Sequence, residues 1–125
     1  SGLETDQYGL TLEGGDGDDI IWGGDMEDVI RGGTGNDRIN GGSGADVLTG
    51  GSGADVFEFT ITCGNDEITD FTRGEDTIEF CLRDGFGESA VDSIPVINGS
   101  KVNIGNYQID VGISIDTTDY VIYWM

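Results

Sequence analysis

The sequence contains no histidine, one proline and two cysteines, and only five of its 125 residues are lysine or arginine. Without histidine, the chain lacks the usual general base of a hydrolytic triad and the commonest nitrogen ligand of metals. The two cysteines do not form a CxxC pair, which excludes zinc-ribbon and thioredoxin-like redox motifs. We therefore expect no enzyme, and we expect any bound metal to be a hard ion with oxygen ligands.

Long apolar runs are also missing, and the charge is strongly one-sided. The chain has 25 acidic residues and a net charge of −20, which repels nucleic acid and anionic lipid unless a cation bridges the two. No apolar run has the length of about 20 residues that a membrane-spanning helix needs. The first residues do not resemble a signal peptide. The charge therefore favours a metal cation as the partner of a single, modest-sized domain.

Glycine is abundant, with 23 residues, and most of them belong to one nine-residue repeat. The repeat runs five times from Gly14 to Glu58, as GGDGDDIIW, GGDMEDVIR, GGTGNDRIN, GGSGADVLT and GGSGADVFE. A glycine pair opens each unit, the sixth residue is always aspartate, and the eighth is always large and apolar. The aspartates are Asp19, Asp28, Asp37, Asp46 and Asp55, and the apolar residues are Ile21, Ile30, Ile39, Leu48 and Phe57.

The repeat predicts a fold in which short strands alternate with glycine turns. The last three residues of a unit suffice for one short strand, whose middle side chain faces inward. The six preceding residues must reverse the chain, which glycine allows through positive φ angles. Two units make one coil, and stacked coils give two parallel sheets, with Ile21, Ile39 and Phe57 facing Ile30 and Leu48. In the second unit Met26 replaces a glycine, so we expect a strained or reshaped loop there.

Stacking also places the repeated aspartates in two columns, with Asp19, Asp37 and Asp55 in one and the other two in the second. Two like charges roughly 5 Å apart repel by about 3 kcal/mol at an effective dielectric constant near 20. A calcium ion between successive loops removes this repulsion, because calcium takes six to eight oxygen ligands in flexible geometry. Three loop pairs are complete, namely 14–19 with 32–37, 32–37 with 50–55, and 23–28 with 41–46. We therefore expect three or more calcium ions.

These units resemble GGxGxDxUx, the known calcium-binding nonapeptide of RTX proteins. The following segment, GNDEITDFTRGEDTIEF, is similar to the part that closes the β-roll in secreted RTX proteases, lipases and mannuronan epimerase R-modules. The resemblance implies that Gly74, Glu75 and Asp76 complete calcium sites on the last coils. For Asp66 and Asp70 it leaves two interpretations open, a calcium ligand or a solvated strand edge.

The expected calcium-binding residues are the aspartates and the loop residues around them. They are Asp19, Asp28, Asp37, Asp46, Asp55, Asp76, Gly14, Gly15, Asp16, Gly17, Gly23, Asp25, Gly32, Gly33, Thr34, Gly35, Gly41, Gly42, Ser43, Gly44, Gly51 and Gly53.

The remainder of the chain predicts an all-β protein, a parallel β-roll followed by an antiparallel C-terminal β cap. We expect a single RTX domain over residues 1–125, in which 1–13 form a degenerate capping turn with Leu12 inward, 14–58 the repeats and 59–125 the strands and cap. Residues 82–93 favour a loop or short helix, and Asn98-Gly99 a hairpin turn. The acidic residue before the apolar end DTTDYVIYWM resembles a type I export signal. A last strand packed on the cap explains the same residues.

Cys63 and Cys81 also leave two interpretations open. An extracellular protein favours a disulfide between them, which would stabilise the fold by about 3 kcal/mol in the chain-entropy model. Two free thiols are the other interpretation.

The function that follows first is a calcium-dependent folding and export module of a secreted, extracellular protein. Its expected partners are calcium, an upstream catalytic or adhesive domain of the same chain and the type I secretion apparatus, and we expect a monomer. One alternative is a module that binds an acidic polysaccharide such as alginate through calcium. Another is a structural spacer or adhesin cap. A polysaccharide module needs an exposed basic or aromatic stripe, for which the roll offers only Trp22, Arg31 and Arg38.

Overall fold

The structure is a computed structural model. It describes residues 11–24, 26–59, 64–82, 96–104, 107–116 and 118–124. The regular elements of these residues are all strands, so none of them forms a helix that is long and apolar enough to cross a membrane. The strands are β1 (Thr11–Glu13), β2 (Ile20–Trp22), β3 (Val29–Arg31), β4 (Arg38–Asn40), β5 (Val47–Thr49), β6 (Val56–Phe59), β7 (Glu67–Ile68), β8 (Thr77–Leu82), β9 (Val96–Asn98), β10 (Lys101–Ile104), β11 (Tyr107–Asp110) and β12 (Tyr120–Trp124).

Successive strands of the repeat region alternate between two parallel sheets. The first sheet has the order β1-β3-β5-β7-β11-β10-β9, and the second has the order β12-β8-β6-β4-β2. Thr11 pairs with Val29, and Ile20 pairs with Arg38, so one coil takes 18 residues, or two repeats. The predicted parallel β-roll is therefore confirmed.

Each short strand buries its middle residue and exposes its neighbours, because successive side chains of a strand point to opposite faces. In β2, Ile21 is 1% exposed while Ile20 and Trp22 are 57% and 47% exposed. The two inner faces predicted from the eighth repeat position are confirmed, and Leu12 of β1 is also buried as expected. Each of the strands β1 to β8 contributes an inward residue to the core of the roll, namely Leu12, Ile21, Ile30, Ile39, Leu48, Phe57, Ile68 and Ile78.

The roll continues for one coil beyond the last glycine-rich repeat. Val47 pairs with Glu67 and Val56 pairs with Thr77, both in parallel. These spacings are 20 and 21 residues instead of 18, so the additional residues fall in the loops and the strands stay aligned. Phe59 and Phe80 extend the core of this coil, with ring centroids 6.1 Å apart.

The C-terminal strands extend both sheets at this end of the roll. β9, β10 and β11 are antiparallel, and β11 meets β7 through the pair Asp110 and Glu67. The predicted hairpin is present, but its two-residue loop is Gly99-Ser100 instead of Asn98-Gly99, because Asn98 ends β9 and pairs with Lys101. The last strand, β12, pairs in parallel with β8 of the second sheet rather than with the hairpin. The C-terminal residues thus extend the sheet itself.

Some expectations lie outside the described residues. These are the capping turn before Thr11, the loop or short helix over 82–93 apart from Leu82, which ends β8, and Cys63 with its disulfide.

The loops reverse direction through glycines at the second and fourth repeat positions. Gly33 and Gly35 have φ angles of 95° and 104°, and the positive-φ residues among those described are all glycines. Met26 occupies a fourth position without a positive φ. Of the two alternatives expected at Met26, strain or a reshaped loop, the structure shows the reshaped loop, which accepts a side chain that is 44% exposed.

Because φ is positive at Gly35 but not at Met26, we expect glycine to stabilise the fourth repeat position in one loop and to destabilise it in the other. Met26→Gly should lower the free energy of unfolding by about 0.5–1 kcal/mol, since glycine gains entropy in the unfolded chain. Gly35→Ala should lower it by about 1–3 kcal/mol, because alanine is strained at positive φ. Urea unfolding of both variants in calcium measures the difference. A more stable Met26→Gly variant would contradict the loop conformation described above.

Candidate metal centre

The sixth residue of every repeat lies directly before a strand, and all five of these aspartates are at most 4% exposed. Asp66 and Asp76 of the last coil are buried to the same degree. Because the coils stack in register, the seven side chains form two columns. The first column is Asp19, Asp37, Asp55 and Asp76, and the second column is Asp28, Asp46 and Asp66.

A ladder of hydrogen bonds runs along each column. The N–H of Asp19 donates to Oδ1 of Asp37 at 2.8 Å, and the N–H of Asp37 donates to Oδ1 of Asp55 at 3.0 Å. In the second column, the N–H of Asp28 donates to Oδ1 of Asp46 at 2.9 Å. Each carboxylate thus binds an amide of the preceding coil, which holds successive loops in register.

The second carboxylate oxygen lacks such a bond at three positions. Within the described residues, Oδ2 of Asp37, Asp46 and Asp55 is shielded from solvent and has no hydrogen-bond partner. A buried, ionised oxygen in this state carries a large desolvation cost. These oxygens therefore require a positive charge, which either a proton or a cation can supply.

The first glycine of each repeat lies beside this oxygen and leaves room for an ion. A Cβ built on Gly32 would lie 2.5 Å from Oδ2 of Asp37 and 2.7 Å from the carbonyl oxygen of Gly50 in the next loop. A Cβ built on Gly23 would meet the same two kinds of oxygen. Carboxylate and carbonyl oxygens of two loops thus converge where a side chain is absent, and calcium prefers these ligands.

The donor set fits calcium better than a softer metal. Within the described part of the chain, no three histidine, cysteine, aspartate or glutamate side chains converge as a metal site. An ion between two loops would therefore take carboxylate oxygens from two aspartates and backbone carbonyls for the remainder. Calcium accepts such a large, flexible oxygen set, whereas structural zinc prefers four nitrogen or sulfur ligands.

Burial raises the pKa of Asp46 and Asp55, one in each column, in the absence of a cation. Desolvation is the largest cause of the raised pKa of Asp55, about 7, and the charges of Asp76 and Asp37 add to it. Desolvation likewise raises the pKa of Asp46, with further contributions from Asp66 and Asp28. Without a cation, Asp46 and Asp55 therefore hold protons more strongly than ordinary aspartates do.

Polar side chains at the surface bind neighbouring loops beside the first column. The Thr34 hydroxyl donates to Asp16 at 2.8 Å, and the N–H of Asn36 donates to Oδ1 of Asp18 at 2.7 Å. Asn36 Oδ1 in turn accepts the N–H of Ala54 at 2.8 Å. These bonds keep the loops aligned without using the buried oxygens.

The structure places the other predicted site residues in loops that stack along the two columns. Asp25 lies outside the described residues. Beside the first column lie Gly14, Gly15, Asp16, Gly17, Gly32, Gly33, Thr34, Gly35, Gly51 and Gly53, and beside the second lie Gly23, Gly41, Gly42, Ser43 and Gly44.

Two residues of the columns were missed or left open by the sequence. Gly50 opens the fifth repeat and lies against Oδ2 of Asp55. Its position as the first residue of a repeat would have been enough to predict it as a site residue. Asp66 is 3% exposed and accepts the N–H of Asp46 at 2.8 Å. A spacing of 20 residues from Asp46 removes Asp66 from the nine-residue pattern, which explains why its place in the column was not evident.

Two solved structures are similar to this chain, and the first of them supports its fold. The solution structure of the AlgE6R3 subunit of a mannuronan C5-epimerase from Azotobacter vinelandii is 23% identical, with a TM-score of 0.51, and the match covers 90% of this chain and 78% of that one. The crystal structure of the extracellular lipase LipA from Serratia marcescens is 26% identical, with a TM-score of 0.49. That match covers 88% of this chain and 20% of the lipase.

Sequence comparison identifies the repeats. No curated protein sequence matches the chain. A family model of the RTX calcium-binding nonapeptide repeat (4 copies) matches residues 11–25 and 22–57. The matched residues contain the strands, the glycine turns and the buried aspartates described above. Residues 11–57 of this chain therefore match the RTX calcium-binding nonapeptide repeat, and their strands form a parallel β-roll.

Proposed function

We propose that this chain is a calcium-dependent folding module, and that it serves as the C-terminal folding and secretion domain of a larger extracellular protein. The observation that carries the proposal is the group of shielded carboxylate oxygens without donors at Asp37, Asp46 and Asp55. Calcium would supply the positive charge that these oxygens lack and would offset the repulsion along the columns.

The proposed ions lie between successive glycine loops. The loop pairs are 14–19 with 32–37, 32–37 with 50–55, and 23–28 with 41–46. In each pair two aspartates would supply carboxylate oxygens, and the glycine-rich backbone would supply carbonyl oxygens. The described first-glycine positions support this assignment, because side-chain atoms there would displace the ion.

The small core makes folding depend on the ions. Each three-residue strand buries one large side chain, and such burial contributes only about 1.5–3 kcal/mol per residue. Ordering the long glycine loops costs backbone entropy, so ion binding would decide whether the roll forms. With calcium affinities near those of extracellular modules, about 10⁻⁴–10⁻³ M, the chain would stay unfolded in the cytosol.

This calcium dependence gives the proposed secretion role a physical basis. An unfolded chain can pass through a type I secretion channel, and folding in extracellular calcium would prevent its return. The folded roll would then adjoin an upstream catalytic or adhesive domain, with no catalytic step of its own. Neither the channel nor the upstream domain is needed for the calcium experiment below.

The described surface does not favour the alternative of an acidic-polysaccharide module. Arg31 lies 3.5 Å from Glu13, and Arg38 contacts both Glu58 and Glu79. The other described basic side chains, Arg73 and Lys101, also contact carboxylates. Because these positive charges are neutralised within the chain, a polyanionic glycan would have to bind through calcium alone.

Removal of calcium provides the direct test of the proposed function. We expect the repeats to be disordered in chelator and to gain β-structure cooperatively in millimolar calcium, as followed by far-ultraviolet circular dichroism. Magnesium at the same ionic strength is the control, because its small octahedral shell does not suit this ligand set. A roll that is folded in chelator and equally stable to heat would overturn the proposal.

Asp37 belongs to two loop pairs, which predicts how strongly each single aspartate variant raises the calcium concentration needed for folding. Asp37→Asn should raise the calcium concentration at the folding midpoint more than Asp19→Asn or Asp55→Asn, by about tenfold relative to wild type. Asparagine keeps the Oδ1 acceptor of the ladder and removes the charge, so the comparison isolates the ion. Equal midpoints in the three variants would contradict ions shared along the column.

The raised pKa of Asp55, about 7, predicts the effect of pH. An unfolded aspartate titrates near pH 3.9, so the ion-free fold takes up protons between about pH 4 and pH 7. Its stability is therefore greatest at low pH and falls as the pH rises through this window. Any β-structure that remains in chelator should therefore decrease between pH 5.5 and pH 8. The calcium midpoint of folding should change little over this range, because the aspartates are ionised both in the unfolded chain and around a bound ion. Circular dichroism measures both trends, and β-structure in chelator that increases with pH contradicts them.

A further inference from the structure

The loop that ends the first column differs from the glycine loops below it. We call residues 70–76 the closing loop. Oδ1 of Asp76 accepts the N–H of Asp55 at 2.9 Å, as the ladder requires, but its Oδ2 accepts the N–H of Thr72 at 2.8 Å. The N–H of Asp76 donates to the carbonyl oxygen of Thr72 at 2.8 Å. Both carboxylate oxygens of Asp76 therefore accept hydrogen bonds from amides. In Asp55, by contrast, Oδ2 has no partner in the described structure.

A second carboxylate joins the closing loop to the glycine loop before it. Oδ1 of Asp70 accepts the N–H of Gly50 at 2.9 Å, and its Oδ2 accepts the N–H of Gly51 at 2.8 Å. In the glycine loops the equivalent first amide binds a backbone carbonyl instead, as Gly32 binds Thr49 at 2.8 Å. Each oxygen of Asp70 thus accepts a hydrogen bond from an amide of the neighbouring loop, so neither lacks a donor.

The closing loop also provides a cation of its own. Nε of Arg73 donates to Oδ2 of Asp119 at 2.9 Å, and Nη2 donates to Asp116 at 2.8 Å. Asp119 is 4% exposed, so its charge requires a partner. Its carbonyl oxygen accepts the N–H of Ile78, which fixes the start of β12 on β8. The guanidinium thus supplies at this end of the roll the positive charge that ions would supply between the glycine loops.

From these contacts we infer that the junction between loop 50–55 and the closing loop holds no calcium, and that Arg73 fastens β12 to the last coil. Asp76 is then a ladder residue with an amide partner rather than a calcium ligand, contrary to the expectation from family resemblance. The inference rests on the proposed function, because it concerns which loop pairs take the proposed ions. It limits the proposed ions to the pairs formed by two glycine loops.

Counting the bound ions separates this inference from the proposed function. Native mass spectrometry at saturating calcium should give the same number of ions for wild type and Asp76→Asn. Asp37→Asn is the matched control, which changes an equivalent aspartate of the same column and should lose at least one ion. An Asp76→Asn protein that loses an ion while keeping wild-type circular dichroism would overturn the inference. If Asp37→Asn kept every ion, the proposed function would fail instead.

The ion positions in wild-type protein give a second measurement that does not depend on any variant. Anomalous difference density from calcium-loaded crystals should show ions between the glycine loops and none between loop 50–55 and the closing loop. An ion bound to Asp76 or Asp70 would overturn the inference, even if Asp76→Asn did not fold.

The role of Arg73 is tested with Trp124, which lies in β12. In a Trp22→Phe background, Trp124 is the only tryptophan and its fluorescence follows this strand. Arg73→Gln should lower the urea midpoint of the Trp124 signal in calcium and leave the number of bound ions unchanged. Arg73→Lys should restore part of the midpoint, since it keeps the charge but not the two-pronged geometry. An unchanged Trp124 midpoint, or a lost ion, in Arg73→Gln would contradict the assignment.

Discussion

The β-roll depends on a carboxylate that is buried in order to hold neighbouring coils together. One oxygen of Asp37 binds an amide of the preceding coil, and this bond helps to set the stacking register. The same burial leaves the other oxygen without a donor. An interaction that organises the backbone therefore creates a charge requirement, and we propose that calcium meets it. Fold and ion binding are then two consequences of one side chain.

Glycine has two separate roles in this arrangement. At the second and fourth repeat positions it provides the positive φ angles of the turns, as at Gly33 and Gly35. At the first position Gly32 instead leaves a space between a carboxylate and a carbonyl oxygen. Met26 shows that the turn requirement can be relaxed by a change of loop conformation. A side chain at the first position would collide with the oxygens themselves, so no similar adjustment is available there.

Most of the roll could be predicted from the sequence, because its period is regular and each position has one physical task. The inward residues from Ile21 to Phe57 and the two aspartate columns followed directly from that period. The coil formed by β7 and β8 did not, since spacings of 20 and 21 residues break the pattern while parallel pairing continues. The partners of Asp70, Asp76 and Arg73 were also not predictable, because they depend on how the closing loop folds against loop 50–55 and against Asp116 and Asp119.

Because the last coil is longer than the coils before it, the nine-residue period and the parallel stacking of strands do not end at the same residue. The nine-residue period ends at Glu58 and the family match ends at residue 57, whereas parallel stacking continues to Leu82. Backbone pairing therefore tolerates insertions that the repeat pattern does not. If ions lie only between glycine loops, the strict period records the spacing of metal sites rather than the extent of the solenoid. A search by repeat pattern would then measure the metal-binding part of such proteins and underestimate the length of the fold.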